Sequence, residues 1–296
     1  MMLQHFGLRE TPFGLTPDTS FTFASRSHRE AHDTLMVALQ GGDGFIKITG
    51  EVGTGKTFLC RRFLGSLPDG YVALFLPNPC VHRRGLLISL CLELGLDIEL
   101  NTPQAQLLPV LTEGLLAKAK EGLTVVACLD EAQAMPDEAL EALRLLTNIE
   151  TEKSRLLRVV MFGQPELDTK LAQPHMRQLA QRISFHYELT ALTREETLAY
   201  LNHRMAAAGN TGATVFGAQE AKLLHTISGG TPRLLNVVAH KSLLLAYGCG
   251  ETRVSVAHIR AAADDTPAAL SRGLMAGLAS QWSRITTPRA VRWSES

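Results

Sequence analysis

The octapeptide Gly50-Glu51-Val52-Gly53-Thr54-Gly55-Lys56-Thr57 stands directly after the apolar run Phe45-Ile46-Lys47-Ile48-Thr49, and it limits the fold more than any other segment. The pattern G-x-x-x-x-G-K-[ST] has a mechanical meaning. Small residues let successive backbone N–H groups turn inward as an anion cradle, and the helix that follows presents the positive end of its dipole to the same anion. Lys56 then reaches the terminal phosphates of a nucleotide, and the Thr57 hydroxyl can ligate Mg2+. An ordinary glycine-rich turn between strand and helix has no need of Lys-Thr at its end. Gly50 through Thr57, with Phe58 next in the helix, are therefore the candidate nucleotide-binding residues.

Further apolar runs with strand character lie at 71–76, 123–129, 156–162 and 183–189, and stretches with helical spacing alternate with them near 55–65, 81–94, 103–120, 136–152 and 174–182. Near-continuous apolar strands alternating with helices predict an α/β fold: a parallel five-stranded sheet sandwiched by helices. Right-handed crossovers would bring the C-terminal ends of all its strands to one edge. Past Leu189 the strand signals stop. Thr193-Arg194-Glu195-Glu196 is a capping box opening a helix to about Ala208, and further helices are expected near 217–228, 232–247 and 255–263. The expected organisation is an N-terminal segment with a leading helix (1–40), the phosphate-binding domain (41–190), a small all-α lid (191–265) and a tail (266–296) with an amphipathic stretch at 268–282.

Lys and Arg total 29 against 29 Asp and Glu, so no global positive field would hold the chain on nucleic acid or an anionic membrane. Met1 to Phe6 shows no basic region leading into an apolar stretch, and no run of eighteen apolar residues occurs. The expectation is a soluble, cytoplasmic protein. Cys60, Cys80, Cys91, Cys128 and Cys249 form no C-x-x-C pair, and the ten histidines no metal-binding cluster, so buried reduced thiols and packing or surface histidines are expected.

Two adjacent carboxylates, Asp130 and Glu131, end the apolar run Leu123 to Leu129. In a phosphate-loop ATPase such a pair divides the labour: Asp130 joins Thr57 in holding the Mg2+ shell, and Glu131 orients and polarises the attacking water. Gln133 either bonds that water or a neighbouring subunit, or faces solvent. The run 157–162 ends at Gly163-Gln164-Pro165-Glu166, where Gln164 is placed to sense the γ-phosphate. Arg182 closes the helix before the last strand. In a ring of subunits its guanidinium would neutralise charge on a neighbour's γ-phosphate, with Arg177 the competitor and a helix-terminal cation the plainer reading of either. In Gly229-Gly230-Thr231-Pro232-Arg233 the arginine stands in the first turn of a helix, where the dipole disfavours a cation, and a phosphate contact would explain it.

Together GEVGTGKT, CLDEAQ, FGQPEL, LAQRI and GGTPR, with the opening HFGLRETPF and LTPD, resemble the AAA+ ATPases, specifically the pilus-biogenesis MshM and general secretion pathway A (ExeA) family, over about residues 3–265. The resemblance implies Walker A roles for Lys56 and Thr57, Walker B roles for Asp130 and Glu131, sensor 1 at Gln164, the arginine finger at Arg182 and sensor 2 at Arg233. Gln164 departs from the Asn, Thr or Ser more usual at its place. ATP and Mg2+ are the implied cofactors, bound between sheet and helical lid. The implied partners are pilus or secretion assembly proteins at the inner membrane of a Gram-negative host, together with further copies of the chain in a ring or arc. Secretion-type relatives continue into a transmembrane helix and a peptidoglycan-binding domain; this sequence stops before either, so the shorter pilus type is expected. Two rival readings remain: a DNA-directed regulator of the transposition-helper type, supported by Arg272, Arg284, Arg289 and Arg292, and a nucleotide-gated scaffold with little turnover. Phe6 and Phe13 either wall the adenine pocket or belong to a domain core.

Overall fold

The computed structural model describes residues 2–14, 21–79, 82–99, 101–147, 155–212 and 214–269. It divides into two compact units, one comprising Ala24–Thr190 and the other the residues up to Phe23 together with those from Ala191 onward. A short helix, α1 (Met2–His5), opens the chain in the second unit.

The first unit begins with α2 (Arg26–Gly41). The side chain of Ser25 caps it by accepting from His28 N, and Gly42 ends it at φ 83°. Then follow β1 (Phe45–Gly50), α3 (Lys56–Gly65), β2 (Tyr71–Leu76), α4 (Arg83–Glu93), α5 (Gln104–Lys120), β3 (Thr124–Leu129), α6 (Asp137–Leu146), β4 (Leu157–Gly163), α7 (Glu166–Leu171), α8 (Arg177–Ala180) and β5 (Ile183–Leu189). All five strands are parallel, in the order β2-β3-β4-β1-β5. The alternation of side chains along each strand sorts the core into two faces. Ile46, Ile48, Val126, Cys128, Val160 and Phe162 pack with α2 and α3, while Phe45, Leu76, Val125, Ala127, Val159 and Met161 pack with α4 to α8. Burial on both faces explains why these strands are apolar throughout.

Two helical expectations change in detail. The stretch expected as one helix over 174–182 is a 3-10 turn, Pro174–Met176, followed by the short α8. Helix α7 was not expected: Pro165 breaks away from β4, and Glu166 and Asp168 in the first turn suit the helix dipole. Arg158, buried within β4, donates to the Leu39 carbonyl at the end of α2 and lies 5.6 Å from the Tyr71 ring centre.

The second unit holds α9 (Arg194–Ala207), opened by the reciprocal Thr193–Glu196 capping box, then α10 (Ala218–Ser228), α11 (Pro232–Gly248) and α12 (Val256–Asp264). Its core centres on Leu201, Phe216, Leu224, Leu235, Leu243 and Ile259, and the N-terminal segment adds Phe6, Leu8, Phe13 and Phe21. Phe13 meets Phe216 edge-on at 5.6 Å, and Arg204 donates through Nε to the Pro12 carbonyl (2.6 Å) with its guanidinium 4.5 Å from the Phe21 ring centre. Phe6 and Phe13 are thus core of the helical unit, and the segment expected to run as one stretch through residue 40 divides after Phe23. The physical reason is that its phenylalanines join the buried apolar cluster of α9 to α12, whereas α2 carries its own apolar stripe for the sheet.

Cys60, Cys91 and Cys128 are buried thiols and Cys249 is exposed. Among the described residues no helix is long and apolar enough to cross a membrane, and no group of three or more His, Cys, Asp or Glu could hold a metal ion. Cys80, the stretch 270–282 and the four tail arginines lie outside the described residues.

Candidate active site

The strand register brings the site's parts to one edge of the sheet. Thr49 of β1 stands beside Gly163 of β4, and Leu129 of β3 beside Met161, so the residues that follow, Gly50, Gln164 and Asp130, emerge together. At Gly50 a Cβ would come within 2.9 Å of Leu189 Cβ and 3.0 Å of its carbonyl oxygen, so only glycine allows this close approach. The loop closes through Thr54, whose Oγ1 donates to Glu51 O at 2.8 Å, and enters α3 at Gly55 with φ 98°. A Cβ on Gly55 would meet His28 Nε2 at 2.8 Å. His28, itself buried and paired through Nδ1 with Ser25 Oγ at 2.7 Å, thus floors the loop, with the half-buried Phe58 ring edge-on at 6.3 Å.

Lys56, only 5% exposed, folds back so that Nζ donates to Gly50 O (2.7 Å) and Glu51 O (3.0 Å). Burial pushes its pKa down, opposed through space by Glu131, Asp130, Glu51 and Glu166. A desolvated ammonium bonded to neutral carbonyls at an N–H-lined loop suits an incoming polyanion. Thr57 Oγ1 donates to Asp130 Oδ2 at 2.5 Å, joining the first turn of α3 to the end of β3. Burial pushes the Asp130 carboxyl up, and the hydrogen bonds from Thr57 and from Glu131 N draw it back. A hydroxyl and a buried carboxylate in contact are the hard oxygen donors that Mg2+ takes alongside waters and phosphate oxygens.

Glu131 is the one non-glycine among the described residues with a left-handed backbone (φ 54°), a conformation that costs roughly 1–2 kcal/mol. Its Oε2 accepts from Gln133 Nε2 (2.6 Å) and Gln164 Nε2 (3.0 Å), and Gln164 N donates to Gln133 Oε1 (3.0 Å). Gln133 therefore turns inward rather than toward solvent. Lys170 donates to the carbonyls of Gln133 (3.0 Å) and Met135 (2.5 Å), bracing the turn.

The structure thus gathers Gly50 to Phe58, Asp130, Glu131, Gln133 and Gln164. Arg182 is not among them: it precedes β5 at the opposite edge of the sheet, half-buried, with Nη1 3.5 Å from Thr147 Oγ1, and Arg177 is exposed at the start of α8. Arg233 is exposed in the first turn of α11, after a turn in which a Cβ on Gly230 (φ 72°) would strike the Leu192 carbonyl oxygen at 2.2 Å. Sequence reasoning missed His28 and Lys170. Neither carries a local signal, because each touches residues more than twenty-five positions away.

The family described as an AAA domain matches residues 39–171. General secretion pathway protein A of Aeromonas hydrophila is 39% identical over 254 residues, which are 86% of this chain and 46% of that protein. Residues 39–171 belong to the AAA-domain family. Solved structures show the same AAA+ architecture. Cdc6p from Pyrobaculum aerophilum matches with a TM-score of 0.65 at 16% identity, covering 84% of this chain and 71% of that one. The Aeropyrum pernix ORC2 protein, in ADPNP-ADP complexes, matches with 0.64 at 18% identity, covering 86% and 72%. At such identities the likeness is one of fold. The chain spans about half the length of the secretion protein it matches.

Proposed function

We propose that the chain binds MgATP on Gly50–Thr57 and Phe58, hydrolyses it, and uses the cycle to drive or regulate assembly of a type IV (MSHA-like) pilus or related secretion machinery at the inner membrane. The observation that carries the catalytic reading is the 2.5 Å contact between Thr57 and Asp130, which joins the phosphate loop to the acidic strand end with Glu131 as the very next residue. Lys56 would neutralise the β- and γ-phosphates, and Thr57 and Asp130 would hold Mg2+. An ion held there would supply positive charge against the negative charge that develops on the phosphate. Glu131 orients the attacking water, and Gln164, at the end of the strand between β1 and β3, links that carboxylate to the γ-phosphate side. Arg182 of another copy and Arg233 supply cations to the phosphates, which makes the active form a head-to-tail homo-oligomer. Kinship with general secretion pathway protein A supports the assembly role.

The test is a pair of variants. Lys56→Ala is expected to abolish binding of a fluorescent ATP analogue in the presence of Mg2+, and Glu131→Gln to bind it while turnover drops by about a hundredfold or more. Undiminished turnover in Glu131→Gln would remove Glu131 from its role. Glu131→Gln used as bait in native cells should retain pilus or secretion components when ATP is present; retention that ignores nucleotide would sink the assembly reading.

A further inference from the structure

An amide side chain carries one acceptor oxygen and one donor nitrogen, and Gln133 uses both within a closed circuit. Its Nε2 donates to Glu131 Oε2 at 2.6 Å, its Oε1 accepts from Gln164 N at 3.0 Å, and Gln164 returns through Nε2 to the same Glu131 oxygen at 3.0 Å. One end of Gln133 is therefore on the carboxylate after β3 and the other on the backbone leaving β4. The turn Ala132–Ala134 that folds Gln133 back is one 3-10 turn, entered from the left-handed backbone of Glu131. Lys170 pins the Gln133 carbonyl from α7. The fit is close: a Cβ on Gly163 would stand 3.3 Å from Gln133 Oε1. Both donors converge on Oε2, and no hydrogen bond from a described residue reaches Oε1.

We infer that Gln133 is a positioning residue: it locks one oxygen of the Glu131 carboxylate to the end of β4, so that Oε1 is presented to water and a shift of β4 is transmitted to Glu131. The inference rests on the reading of Glu131 given above. The chemistry at position 133 is specific. Asn is one methylene shorter and cannot span both contacts, Met matches the length without either bond, and Glu would set a second carboxylate against the first. Orientation is worth large factors when the oriented group acts only in the transition state, so the effect belongs in kcat and not in nucleotide affinity.

The experiment measures steady-state ATPase, single turnover at high enzyme concentration, and equilibrium binding of a fluorescent ATP analogue with Mg2+. It is run on Q133M, Q133E, Q164A, Q133M/Q164A, E131Q and E131Q/Q133M, with thermal unfolding as the check on folding. Q133M is expected to lower kcat by about tenfold or more while affinity stays within about twofold, and Q133E to lower kcat further. Because both amides act on one oxygen, Q133M/Q164A should lose much less than the product of the two single losses. In the E131Q background, Q133M should change the residual single-turnover rate by less than about twofold. Wild-type turnover in Q133M beside an inactive E131Q overturns this inference and leaves the Glu131 reading standing, whereas wild-type turnover in E131Q overturns that reading and the inference with it. A Q133M effect of equal size in both backgrounds, or one that weakens binding as much as kcat, shows a merely structural role and also overturns the inference.

Discussion

Gly55 shows how much a single position in the phosphate loop carries. Its φ of 98° is open to glycine and strained for any other residue, and the space a Cβ would need is already held by His28 Nε2. Gly55→Ala should destabilise the sheet unit by about 1–3 kcal/mol and weaken nucleotide binding, and adding His28→Ala should remove the clash but not the backbone strain. Thermal unfolding of the two variants reads this directly; full recovery in the double variant would show that φ is not the issue. The thiol of Cys60 differs in kind. Its hydrogen bond with Cys128 and its burial push its pKa up, so the Cys60 thiol should resist alkylation in the folded protein, Cys128 is shielded from reagent by burial, and the exposed Cys249 should react first. Peptide mapping after a brief iodoacetamide pulse distinguishes them.

At the scale of elements, the helical unit is completed by a segment from the far end of the chain. Phe13, 2% exposed and stacked edge-on against Phe216, should cost the unit about 3–5 kcal/mol when changed to alanine, seen as an earlier urea midpoint. The same unit carries a pH dependence. His203, His225 and His240 are held by burial below the ordinary value of 6.5, helped at His203 by Arg204 and at His225 by Arg194. Above that value the folded and unfolded forms are both neutral and the histidines add no slope. As pH falls through it, the unfolded chain takes up protons before the folded one, so stability must drop. Melting temperature should be flat above about pH 7 and fall below pH 6.5, with His240→Gln flattening the decline. A melting temperature that rises on acidification would contradict the burial argument.

Across the whole molecule, the parallel sheet separates two candidate catalytic parts. Arg182 precedes β5, while Gly50 ends β1 and Asp130 and Gln164 follow β3 and β4, and a seven-residue strand spans roughly 20 Å. A side chain cannot cross that length, so if Arg182 touches a γ-phosphate it is that of another copy. Arg182→Ala should lower turnover about 10²-fold or more, mixing it with Lys56→Ala should restore part of the activity, and specific activity should rise with protein concentration. Absence of rescue together with concentration-independent turnover would leave Arg182 a local partner of Thr147. Arg233→Ala should slow turnover through weaker phosphate contact, read as a change in kcat/KM. Salt-dependent DNA binding that disappears on removing 266–296 would favour the DNA-directed reading in place of pilus or secretion assembly.

The pieces whose chemistry is contiguous are legible in residue order alone. Eight successive residues supply the loop, the apolar runs mark strands buried on both faces, and Asp130-Glu131 ends one of them, because anion cradles, caps and side-chain periodicity are all written within a few positions. The order β2-β3-β4-β1-β5, which sets β4 between the two motifs and lets Gln133 and Gln164 meet on Glu131, emerges only in the folded chain. Tertiary structure alone also put His28 beneath Gly55 and the N-terminal phenylalanines in the helical unit. Hydrophobic burial says which side chains go inside but not beside whom, and pairing between strands more than a hundred residues apart leaves no mark in either strand's own pattern.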